Sequence, residues 1–168
     1  MIIFDFDQTL VDTSSVEHLR AARNWKAVMA SIHELPVYDG IAELLQDLHE
    51  AGQTLAIVTK SPDMVPKEFI KLHRWPIDIV VGYHQVIRKK PHPEGLNLAM
   101  SKAGASSKDT YHVGDQAQDT EASRNAGVVA IGSAWGCVDI DELIESGPDA
   151  IFSSVVELHD YFRAELGA

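Results

Sequence analysis

Short, almost uninterrupted apolar runs alternating with longer segments of helical period constrain this 168-residue chain more than any other feature. The runs are Met1–Phe6, Thr54–Thr59, Ile77–Val81, Thr110–Val113, Val128–Ile131 and Ala150–Phe152. A strand wetted on one face alternates apolar and polar residues, so continuous apolarity marks strands covered on both faces, as in parallel sheets. The segments between them supply the cover. Ile41, Leu44, Leu45 and Leu48 form one helical stripe, and Val155, Leu158 and Phe162 form another, with Ser154 and Glu157 spaced as a capping box. The pattern predicts an α/β fold: a three-layer, doubly wound, Rossmann-like parallel sheet. The length suits one domain, 1–168.

Residues 13–37 do not follow the strand-helix repeat. Ser14 followed by Glu17 predicts a helix start, Val16, Leu19, Trp25, Val28, Met29 and Ile32 give an apolar face, and Pro36 ends it. The segment is too small to bury a core of its own. It is expected to pack on the domain or on a second copy of the chain, as a short helical cover over whatever follows the first strand.

Charge and composition narrow the partners. With 14 Lys and Arg against 25 Asp and Glu, the net charge of -11 opposes binding to nucleic acid or an anionic membrane. No apolar stretch approaches the roughly 20 residues that span a bilayer, and the N-terminus lacks the pattern of an export signal. The single cysteine, Cys137, excludes an internal disulfide and a cysteine-rich zinc site, and a cytoplasmic setting is expected. Cys137 reads as a small buried residue. None of the 8 histidines has the spacing of zinc ligands on a helix. His92 is expected to fill a loop, Lys89 to be a solvated neighbour of Lys90, and Trp135 alone of the three tryptophans to border the site.

In open parallel sheets, ligands bind beyond the carboxyl ends of the strands. The first run leads into Asp5, Asp7 and Thr9, the second ends at Thr59, Lys90 follows the third, and Asp115 and Asp119 follow the fourth. Carboxylates, a hydroxyl and an ammonium suit phosphoryl transfer. A carboxylate attacking a phosphate dianion meets like-charge repulsion, which a lysine and a magnesium ion offset. Magnesium takes hard oxygen ligands and one or two carboxylates, so Asp5 and Asp115 with a backbone carbonyl would suffice, Asp119 approaching the ion or orienting its ligands.

These residues resemble the haloacid dehalogenase superfamily, in its phosphoglycolate phosphatase-like branch, over nearly the whole chain. Phe-Asp-Phe-Asp-Gln-Thr-Leu, Ile-Val-Thr, Lys-Lys-Pro-His-Pro and Val-Gly-Asp-Gln-Ala-Gln-Asp are similar to its four motifs, in order. The resemblance implies a phosphomonoesterase in which Asp5 becomes phosphorylated, Asp7 is the acid/base and its backbone carbonyl joins Asp5, Asp115 and Asp119 around Mg2+. Thr9, Thr59, Lys60 and Lys90 are then the expected phosphate contacts. The same carboxylates would serve a phosphomutase, whereas the alternative of a catalytically silent phosphate-binding module would be expected to have lost one of them or Lys90. Gln8 stands where the family often has glycine, and the 13–37 segment is far shorter than the helical cap inserted there.

Overall fold

The computed structural model describes residues 1–167; Ala168, the last residue of the expected domain, lies outside the described residues. Six parallel strands run β1 (Ile2–Phe4), β2 (Leu55–Val58), β3 (Ile79–Val81), β4 (Tyr111–Gly114), β5 (Val129–Ser133) and β6 (Ala150–Phe152). Their order across the sheet is β3-β2-β1-β4-β5-β6. β1 is therefore central: the chain steps outward from it to β2 and β3, then crosses back to β4 on its other side and continues to β5 and β6. Parallel sheets open a crevice at such a reversal, beyond the strand ends.

The strands follow the apolar runs: β1, β2 and β3 are shorter than their runs, β4 and β5 start one residue later and run on to Gly114 and Ser133, and β6 matches its run. β3 starts two residues later than predicted because Pro76 has no N–H to offer and Ile77 N–H turns back to Trp75 O, at 2.9 Å. Alternate residues face opposite layers: Ile2, Phe4, Leu55 and Ile57 join one core cluster, whereas Ile3, Ala56, Val58 and Val81 join the other.

The flanking helices are α1 (Glu17–Ala21), α2 (Trp25–Ala30), α3 (Ile41–Glu50), α4 (Met64–His73), α5 (Glu94–Ala103), α6 (Ala117–Ala126), α7 (Ile140–Glu145) and α8 (Val155–Leu166). The two predicted stripes, on α3 and α8, are buried in the first cluster together. Each leucine there stabilises the fold by about 1.5–3 kcal/mol relative to exposure. Ser154 Oγ caps α8 by accepting Glu157 N–H at 3.2 Å, while Glu157 Oε2 accepts Ser153 N–H at 2.7 Å. The reciprocal bond thus reaches one residue before the cap.

The 13–37 segment departs from expectation. It is two short helices, α1 and α2, with single 3-10 turns at Ser14–Val16 and Ile32–Glu34. Ser14 makes no cap; its N–H donates to Asp12 Oδ1 at 2.9 Å. The break lies at Arg23, which adopts a left-handed φ of 54°, and at Asn24, whose Oδ1 accepts Ala27 N–H at 3.2 Å and starts α2. Asparagine offers the backbone that alternative more readily than a helix interior. Val16, Val28, Ile32 and Leu35 join the first cluster, with Leu19, Trp25 and Met29 packed against it. No described helix is long and apolar enough to cross a membrane.

Candidate active site

β1 ends one residue before Asp5, whose N–H still bonds Val113 O at 2.8 Å, so the carboxylate rises from the ladder's last rung. The chain then turns through Gln8, at a left-handed φ of 61°. That conformation costs a non-glycine residue about 1–2 kcal/mol. Gln8 Oε1 accepts Tyr38 O–H at 2.7 Å. Gly136 packs against the turn so closely that a Cβ on it would lie 1.8 Å from Gln8 O, leaving no room for a side chain.

Asp5, Asp115 and Asp119 are buried and offer carboxylate oxygens within 4.8 Å of one another. Lys90 Nζ lies 2.7 Å from Asp5 Oδ1 and 2.7 Å from Asp119 Oδ1, and donates to Val58 O at 3.1 Å. Asp119 Oδ2 accepts Gln116 N–H at 3.1 Å. Gly114 permits this arrangement, because a Cβ there would lie 2.5 Å from the Asp119 side chain.

One lysine does not neutralise three buried carboxylates. Burial, then the repulsion of Asp119 and Asp7, outweighs Lys90 and pushes the Asp5 carboxyl up to about 6. Burial, followed by Asp5 and Asp119, pushes Asp115 up to about 8, and Asp115 Oδ2 is buried with no partner. Asp119 goes the other way, lowered because Lys90 overrides its burial. Burial opposes the Lys90 charge, yet Asp119 and Asp5 hold it above the ordinary lysine range. An all-oxygen cluster with excess negative charge and an unpartnered carboxylate oxygen fits a hard divalent cation.

Asp7 stands apart from that cluster. Its Oδ2 accepts Ser61 O–H at 2.9 Å and Thr59 O–H at 3.3 Å, and pairs with Arg20 Nη2 at 2.9 Å. Its Oδ1 is buried with no partner. The cluster thus gathers Asp5, Asp115, Asp119 and Lys90, with Asp7 beside Thr59.

Two expected phosphate contacts are placed differently. Thr9 is fully buried, donating to Asp115 Oδ1 at 3.3 Å and lying 3.1 Å from Ser133 Oγ; it braces a carboxylate instead of facing the crevice. The Thr59 hydroxyl is spent on Asp7 while accepting Ser61 N–H at 3.0 Å. Lys60 is exposed and lines a cavity of about 790 Å³ that opens over Asp7, with Arg20, Arg23, Trp25 and Tyr83 also in its wall. Trp25 therefore borders the cavity, contrary to expectation. Trp135 braces the turn, donating from Nε1 to Thr9 O at 3.0 Å. His92 Nδ1 accepts Glu94 N–H at 3.1 Å, the loop role expected of it. Cys137 is half-buried rather than buried.

Sequence reading missed Arg20, Ser61 and His112. Ser61 is two residues beyond Thr59, and an inspection of the second strand's exit for further hydroxyls would have found it. His112, a polar residue within an apolar strand, lies 2.7 Å through Nδ1 from Ser123 Oγ, whose hydroxyl donates to Asp119 O at 2.8 Å. Burial, aided by Lys90, depresses its imidazole to about 4.

Removing Lys90 tests the balance of this cluster. Lys90→Ala leaves Asp5 and Asp119 buried without their counter-charge, and deleting one partner of a buried pair costs about 3–5 kcal/mol. Urea denaturation in a chelating buffer is expected to show that loss; a change below about 1 kcal/mol, the worth of a surface pair, would contradict the geometry.

The family model described as haloacid dehalogenase-like hydrolase matches residues 15–133. A phosphoglycolate phosphatase from Vibrio parahaemolyticus is 33% identical over 130 residues, covering 75% of this chain and 57% of that protein. A Dickeya dadantii protein named as a probable phosphatase, IndB, is 35% identical over 161 residues, covering 90% of this chain and 70% of that one. The chain thus spans well under the full length of both. Among solved structures, a hydrolase from Pseudomonas syringae superposes with a TM-score of 0.82 at 21% identity, covering 97% of each chain.

Proposed function

The chain belongs to the haloacid dehalogenase-like hydrolase family, and from that premise we propose that it is a magnesium-dependent phosphomonoester hydrolase working through an aspartyl-phosphate. The observation that carries this reading is the different setting of two carboxylates of one loop, Asp5 bonded to Lys90 and Asp7 bonded to Ser61 with its other oxygen unpartnered, from which the roles are assigned. Asp5, held at Oδ1 by Lys90, is the nucleophile; Asp7, fixed at Oδ2 and unpartnered at Oδ1, is the proton carrier.

In this account Asp5 attacks phosphorus as the ester P–O bond breaks, and Asp7 gives its proton to the departing alkoxide. Asp7 then takes a proton from water, whose oxygen attacks the phosphoryl group on Asp5. Phosphate leaves and both carboxylates return to their starting states. Lys90 offsets charge on the transferring group. Asp5 and Asp115, with the Asp7 carbonyl, would hold Mg2+, and Asp119 orients this set through Lys90. The ion would supply charge neutralisation for the phosphoryl oxygens. Ser61, Thr59 and Arg20 keep Asp7 in place, and Thr9 does the same for Asp115. The short α1–α2 segment serves as a reduced cap.

The test is hydrolysis of a generic aryl phosphate by purified protein. Turnover with magnesium that stops on chelation supports the reading; a protein inert with magnesium, or fully active after exhaustive metal removal, contradicts it. Metal binding has its own readout. With Asp115 held near 8 and Asp5 near 6 in the metal-free protein, cation binding displaces protons. Magnesium affinity by calorimetry is therefore expected to rise about tenfold per pH unit from pH 6.5 to 8 and flatten above. A pH-independent affinity would count against these ligands.

A further inference from the structure

Arg20 is the side chain by which the short cap segment touches the reaction centre, 2.9 Å from Asp7 Oδ2. Ser61 and Thr59 already satisfy that oxygen, so proton transfer on Oδ1 does not require an arginine there. The guanidinium is also underused. Nη1 donates to Thr13 Oγ1 at 3.3 Å and pairs with Glu17, while Nε is buried with no partner. A buried donor without an acceptor is unfavourable, so the Nε–H of this arginine lacks an oxygen its surroundings do not provide.

The cavity around it holds an excess of positive charge in a strongly acidic chain. Arg20, Arg23 and Lys60 line it against Asp7 and Glu17, both of which pair with Arg20 and leave Arg23 and Lys60 unbalanced, whereas the chain as a whole has a net charge of -11. Its volume of about 790 Å³ greatly exceeds what a phosphoryl group fills, and Trp25 and Tyr83 give the wall flat apolar surface. Planar, five-donor guanidinium groups recognise carboxylate and phosphoryl oxygens through paired hydrogen bonds.

Resting on the phosphatase reading above, we propose that Arg20 is a specificity-determining residue that binds a second oxyanion on the leaving group of the substrate. The substrate class is a phosphomonoester whose alcohol is of ring size and carries a carboxylate or a further phosphoryl group. On binding, Arg20 turns part of its fork from Asp7 to that oxyanion. Asp7 Oδ2 keeps Ser61 and Thr59.

The experiment compares benzyl phosphate, 4-carboxybenzyl phosphate and 4-phosphonobenzyl phosphate as substrates of the wild type and Arg20→Gln. In parallel, calorimetry measures binding of the non-hydrolysable benzylphosphonate and 4-carboxybenzylphosphonate. The wild type is expected to prefer the doubly anionic member by about tenfold or more, in kcat/KM and in affinity, equivalent to about 1.4 kcal/mol. In Arg20→Gln that ratio falls to near one, whatever happens to absolute rates. A purely structural Arg20 lowers all substrates together and leaves the ratio intact, which overturns the proposal, as does a wild type that shows no preference. The carboxylate and phosphoryl arms distinguish the two sources of the oxyanion. If the phosphonates are discriminated but no ester is hydrolysed, the Arg20 site stands and the phosphatase reading falls. Hydrolysis without discrimination has the opposite meaning.

Discussion

Asp5→Asn is expected to leave no turnover above background. The amide is isosteric and keeps a hydrogen-bond acceptor for Lys90, but it lacks the anionic oxygen that attacks phosphorus. It also removes one negative charge from a cluster where burial and like-charge repulsion already push Asp5 and Asp115 upward. The variant should therefore fold at least as well as the wild type while being inert. Thermal melting and a progress curve on the same sample separate the two effects. Inactivity with a collapsed melting temperature would indicate structural damage instead, and retained turnover would remove Asp5 from the chemistry.

Asp7→Asn is expected to slow turnover by about two to four decades, the usual worth of a positioned acid/base. The size of the effect should depend on the leaving group. An activated aryl phosphate leaves without a proton and loses least, whereas an alkyl ester needs Asp7 to protonate its alkoxide and loses most. Equal losses for both substrates would mean that Asp7 acts by position or charge alone. Ser61, Thr59 and Arg20 converge on the Oδ2 position of this residue, so the asparagine retains much of its anchoring and the comparison reports on the proton.

What could be read from the residues follows from how local each signal is. Continuous apolar runs identify strands because a doubly covered strand admits a polar residue only with a buried partner, as His112 has in Ser123, and strand ends in a parallel sheet share one edge. Asp5, Asp7, Lys90, Asp115 and Asp119 were legible for that reason. Hydroxyl direction was not. Thr9 and Thr59 lie at the expected edge but turn inward to Asp115 and Asp7, a matter of side-chain rotation that residue type does not record. Arg20 was invisible because its contact with Asp7 is tertiary, and a helical stripe marks the residues that face the core but not which polar neighbour turns toward a distant carboxylate. The apolar face of that stripe was correctly seen, and Val16, Val28 and Ile32 are buried as it required. The same stripe suggested one helix because periodicity records which residues face the core and not where the backbone bends between them.

Hydrolysis by this route places a covalent phosphoryl group on one carboxylate. Acid quenching of the wild-type protein during turnover, followed by borohydride reduction, converts an aspartyl-phosphate to homoserine, which peptide mass spectrometry locates. That change is expected at Asp5, dependent on both substrate and magnesium. Reduction mapped to any other residue, or sustained turnover with Asp5 never modified, would contradict it.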